Sequence, residues 1–174
     1  MASTGFQPIH PRKLYAKLLG IASADERAQA TLDFLCGCTA APRGHLFLVR
    51  DRSLCPVANS GQGPPPDDLV AEVLRIWAQE LANEPDANRT RTVDLPTRGT
   101  PEAPPPDQLW MSSDGVGYVR HVLGTYHGTR WIPVGIAMLE ASAKLIGLRH
   151  AYVEVVCNAF IAAGDVPDQP LASR

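Results

Sequence analysis

Cysteine is sparse. The four present among 174 residues, Cys36, Cys38, Cys55 and Cys157, are too few and too scattered for the disulfide scaffold of a small secreted domain. Neither charge sign prevails: 16 basic against 18 acidic side chains leave a net charge of −2. That argues against a general nucleic-acid binder, which shows a basic excess on some element. Long apolar runs are missing too. The longest, Trp131 to Leu139, falls far short of the ~20 residues needed to cross a bilayer, so no membrane partner is expected. There is no Ser-His-Asp motif, Gly-rich phosphate loop or metalloprotease helix, and Gly115-Val116-Gly117 lacks the rest of a dinucleotide fingerprint. Met1 to Lys13 carries Pro8, His10 and Pro11 where a secretory signal needs an apolar stretch. The chain is therefore expected to be cytoplasmic with reduced thiols, and Asn88-Arg89-Thr90 matches the glycosylation pattern by chance.

What is present is the composition of a globular domain: 45% hydrophobic and 20% charged residues, enough for one buried core. Fourteen glycines and 16 prolines cluster into loop insertions. Residues 1–10 read as a tail, 11–164 as a single domain and 165–174 as a second tail. Pro11 suits the first turn of a helix that buries Leu14, Leu18 and Ile21. Ser23-Ala24-Asp25-Glu26 is a capping box, which predicts a second helix to about Cys38 burying Ala28, Leu32 and Leu35. His45 to Arg50 and Ser53 to Asn59 read as strands turned at Asp51-Arg52. After Pro64-Pro65-Pro66, the spacing of Leu69, Val73, Ile76, Trp77 and Leu81 predicts a third helix that ends before Pro85. Arg89 to Leu95 alternates weakly, as a strand does. Pro96 to Gly115 reads as a long lid, binding loop or mobile segment. Gly117–Tyr126 and Thr129–Glu140 form a hairpin around His127-Gly128. The stripe Leu145, Leu148, Tyr152, Val155, Val156, Ala159, Phe160 predicts a last helix to about Ala163, capped by Gly164.

Antiparallel strands with segregated helices make an α+β domain. This order, with His45-Leu46-Phe47-Leu48-Val49-Arg50-Asp51 leading into the first hairpin and Ile132-Pro133-Val134-Gly135-Ile136-Ala137-Met138-Leu139 as the last strand, resembles a GAF domain over roughly residues 12–164. The resemblance implies a twisted antiparallel sheet of five or six strands (GAF/PAS-like). The N- and C-terminal helices would lie on one face, and a helix plus a long loop on the other. It also implies a non-catalytic sensory or regulatory domain that binds a small molecule or dimerises through its terminal helices, alongside other domains of a larger signalling protein. The pocket cover would be Asp67 to Leu81 plus Pro96 to Gly117.

Trp110, Tyr118, His121 and Trp131 are the residues expected to bind a ligand, aromatic walls with a few polar handles; the same residues also suit core and loop packing. Arg120 and Arg130 read as solvated strand residues. Cys36-Gly37-Cys38 chelates one ion only if Gly37 breaks the helix, with Cys55 and His45 as nearby helpers, so buried thiols and no metal are expected. Certain GAF relatives reduce free methionine sulfoxide with pocket cysteines, but Leu95 to Tyr126 contains none. That thiol enzyme remains a third alternative after sensor and interaction module. The Asn-Lys-Phe-Asp-type motif of cyclic-nucleotide binders is missing, and Pro66-Asp67-Asp68 repels an anion at the third helix's start. No cofactor is named by these residues.

Overall fold

The structure, a computed structural model, describes residues 6–61, 63–82, 109–128 and 130–167. Helix α1 (Pro11–Leu19) starts at the expected proline, with His10 as N-cap. Helix α2 (Ala24–Thr39) starts from the expected cap, where the Ser23 hydroxyl accepts from the Glu26 N–H at 3.3 Å. It runs through Gly37 without a break. Strands β1 (Gly44–Arg50) and β2 (Ser53–Asn59) pair antiparallel around Asp51 and Arg52, both with positive φ as a tight hairpin requires. Helix α3 (Asp67–Ala82) follows, then β3 (Leu109–Met111), β4 (Gly117–His127), β5 (Arg130–Glu140) and α4 (His150–Ala162). The five strands form an open antiparallel sheet in the order β2-β1-β5-β4-β3.

β1 is buried on both sides, and its alternation sorts the core into two layers. Leu46 and Leu48 face α1, α2 and α4, meeting Leu14, Leu18, Leu32, Leu35, Val156 and Phe160. Phe47 and Val49 face α3, meeting Leu69, Val73, Ile76 and Trp77. Three helices thus cover one face and α3 the other. Gly135 of β5 permits the close approach to β1: a Cβ there would run into the Phe47 carbonyl oxygen and come within 3.2 Å of the Leu48 Cα. Two bulges tune the sheet. Val57 is unpaired between Pro56 and Ala58, on an edge strand where proline is tolerated. Val134 is unpaired between Pro133 and Gly135, and this extra residue lets it join the same core layer as Ala137 and Leu139.

Three sequence expectations change. Trp110 and Met111 lie in a strand, not at the end of a loop, because Ser112 to Val116 closes a hairpin in which the Val116 N–H reaches the Ser112 hydroxyl and the Asp114 carboxylate. The last helix starts at His150. Leu145 and Leu148 precede it in a stretch held to the end of α2 by Ile146 N–H to Thr39 O (2.8 Å) and Ser142 Oγ to Ala40 O (3.2 Å). Leu81, placed in the apolar stripe of α3, is 38% exposed. The expected strand Arg89–Leu95, and Pro96 to Gln108 of the expected loop, lie outside the described residues. Packing reaches past residues 11–164: Phe6 packs edge-on to Phe34, and Val166 joins the core. No helix among the described residues is long and apolar enough to cross a membrane.

Candidate functional site

The β4–β5 hairpin, the C-terminal end of α3 and the approach to α4 line a half-open cleft of about 320 Å³. β3 pairs only with Gly117 to Val119, so β4 beyond that point has no described neighbour on its outer edge, and the cavity opens along it. Arg120 and His121 of β4 and Trp131 of β5 line it; as neighbours in a strand, Arg120 and His121 lie on opposite faces, so the cleft wraps the edge of β4. Glu80 enters from α3, where it continues the stripe Leu69, Val73, Ile76 by one helical step. Val122, Leu148 and Val153 supply apolar wall.

The polar groups are distinct in state. Burial pushes the His121 imidazole down to about 4, so near neutral pH it is uncharged and offers one donor and one acceptor. The Trp131 ring lies over Gly124, where a Cβ would meet it, and against Tyr126 at a centroid distance of 5.0 Å. Its indole N–H is buried without a partner among the described residues. Arg120 is half-buried, and the side chain of Arg130 lies outside the described residues. Neither Arg120 nor Glu80 takes part in an ion pair among the described residues. Glu72, one turn further back on α3 than Ile76, is held below the usual carboxylate range mainly by its hydrogen bonds to Arg75 (2.5 and 2.8 Å), with Arg120 contributing at longer range.

The four residues expected to bind a ligand fall into two pairs. His121 and Trp131 share the cavity. Trp110 and Tyr118 face each other across the β3–β4 pairing, 6.3 Å between ring centroids, in the layer beneath α3. Tyr118 also sits 5.9 Å from His45, whose Nδ1 is buried without a partner among the described residues. Burial lowers the His45 pKa and raises that of Tyr118. Sequence reasoning missed Glu80, Leu148 and Val153 as lining residues, and took His45 only as a metal helper. The break in the α3 stripe at Glu80 was the one local signal. The rest needs the order β1-β5-β4, which places His45 opposite Met138 and His121 opposite Ala137.

Three of the four thiols are held in their protonated form by burial. Cys36 and Cys38 share unbroken helix; burial raises Cys36 and pushes Cys38 up to about 12. Cys157 is buried in the core and its pKa is raised by that burial. Among the described residues, no three His, Cys, Asp or Glu side chains gather as a metal site would require. No family model matches the chain, and no curated protein matches it.

Proposed function

We propose that this chain is a non-catalytic sensory or regulatory domain of the GAF type that binds a small molecule, acting within a larger signalling protein. The open antiparallel sheet with three helices on one face and α3 on the other supports the reading. The observation that carries it is the cavity of about 320 Å³, within the size range of small-molecule sites, where His121 and Trp131 meet charged groups and apolar wall. The cavity touches α3, the hairpin and α4 at once. A ligand there binds one mutual arrangement of these elements better than another and shifts the population toward it. Thermal shift and tryptophan fluorescence against a small-metabolite library test this. A saturable response that Trp131→Phe diminishes supports it, and no response at millimolar concentrations overturns it.

A second reading is a dimerisation module, favoured by the filling of the space under α3. Leu69, Val73, Ile76 and Trp77 lie directly on Phe47, Ile136 and Met138. Leu19 on α1 and Ile146 ahead of α4 are exposed apolar groups beside the terminal helices. Light scattering at tens of micromolar decides it: a dimer that Leu19→Glu dissociates supports the reading, and a monomer removes it.

A further inference from the structure

We propose that the cleft binds a short peptide in extended form, which adds to the outer edge of β4 as a further strand and pairs with it through main-chain groups. This rests on the small-molecule reading and names the chemical class of the ligand. The Gly117 carbonyl accepts from the Ala141 N–H at 2.8 Å, so the main-chain groups of Gly117 face β5. Strand alternation then turns those of Val119 and His121 to β5 as well, and those of Tyr118, Arg120 and Val122 to the outer edge. Tyr118 meets Trp110 of β3 there. Beyond it, the N–H and C=O groups of Arg120 and Val122 have no strand partner among the described residues.

The two edges of the sheet are built differently. β2, at the other edge, carries Pro56 and the bulge at Val57, devices that stop an edge from taking another strand. From Arg120 to Leu123, β4 has no proline and keeps an unbroken register with β5, so its outer edge stays a template for pairing. The lining of the cleft fits an added strand. Val122 packs into the layer beneath α3, whereas Leu148 and Val153 pack against the opposite core layer, the side to which His121 points. An extended peptide sends successive side chains to opposite faces and so meets both groups at once. A compact ligand lying on one face reaches only one of them. Main-chain pairing also requires no charge on the ligand. The volume of about 320 Å³ lies at the small end of ligand sites and suits a short peptide, not a folded partner.

The test is NMR on the isotope-labelled full chain with a pentapeptide of alternating valine and threonine, blocked at both ends and therefore uncharged. In the free chain the amide hydrogens of Arg120 and Val122 should exchange fast, and those of Val119 and His121, inside the ladder, slowly. The peptide at millimolar concentration should shift Arg120 to Val122 saturably and slow the exchange of the two edge amides. Methylating a peptide nitrogen should weaken binding about fivefold or more at one alternating set of positions and leave it unchanged at the other. Only every second N–H faces the edge, and that factor is the scale of one lost hydrogen bond. Val122→Pro, which removes an edge N–H and no bond to β5, should weaken the peptide by a similar factor. The methylation series needs no variant, so a substitution that fails to fold leaves the test intact. Slow exchange of Arg120 and Val122 in the free chain overturns the inference, because the edge is then already paired. So does equal binding by both methylated sets, or a metabolite that binds the cleft when no peptide does; these results leave the small-molecule reading standing. A chain that binds neither peptide nor metabolite overturns the two together.

Discussion

Arg27 joins three stretches of chain through one guanidinium. Its Nε donates to the Leu18 carbonyl at 3.0 Å, one terminal nitrogen donates to the Ile21 carbonyl, and the other meets Asp165 at 2.6 Å. Both charged side chains are 6% exposed. Breaking such a pair from one side strands a buried charge, so Arg27→Ala should cost about 3–5 kcal/mol in urea unfolding. A loss under about 1 kcal/mol would show that solvent replaces the guanidinium freely. His121 gives a pH prediction. Its folded pKa, about 4, lies below the unfolded value near 6.5. The unfolded chain therefore takes up a proton first as pH falls. The stability tied to the neutral imidazole is intact above about pH 6.5 and declines as pH falls toward about 4. His45, also lowered, acts in the same direction. Urea midpoints between pH 7 and 4.5 should fall less steeply in His121→Gln than in the parent chain; parallel slopes would contradict the assignment. Thiol labelling should modify Cys55 in the folded chain and reach Cys36, Cys38 and Cys157 only on unfolding, since the first is on an edge strand and burial raises the other three. The Ser23 cap is readable in sequence because its partner is three residues away. Arg27 is not, because Asp165 is 138 residues away.

Elements with local punctuation are where sequence reading succeeds. α1 starts at Pro11 and α2 just after the Ser23 cap, the first hairpin turns at Asp51-Arg52 as predicted, and the second turns one residue later than predicted, with His127 still in β4 and paired with Arg130. Ser23→Ala should therefore destabilise the chain by about 1 kcal/mol, read from the shift in urea midpoint, and no shift would mean the cap is replaced by water. Failures occur where an element's limits depend on distant partners. Leu145 and Leu148 keep helical spacing yet stay outside α4, because their segment is held by the carbonyls of Thr39 and Ala40 at the end of α2. β3 is three residues long and exists through its pairing with Gly117 to Val119. So short a strand leaves almost no periodicity to read.

At the scale of the whole molecule, the α+β class followed from element order, and the unbroken apolar run of β1 fits its burial on both faces of the sheet. The strand order did not follow, and with it went the geometry of the site. Trp110, Tyr118, His121 and Trp131 look equivalent in sequence; the sheet sends two under α3 and two to a cavity at the rim. Glu80 and Arg120 come to line one cleft only through the packing of α3 on the sheet. The central claim is that this rim cavity is a ligand site, and amide chemical-shift mapping on the isotope-labelled chain tests it most directly. With a bound metabolite, the account predicts saturable shifts converging on Glu80, Arg120 to Val122, Trp131, Leu148 and Val153. Saturable shifts that leave these residues unmoved would contradict it.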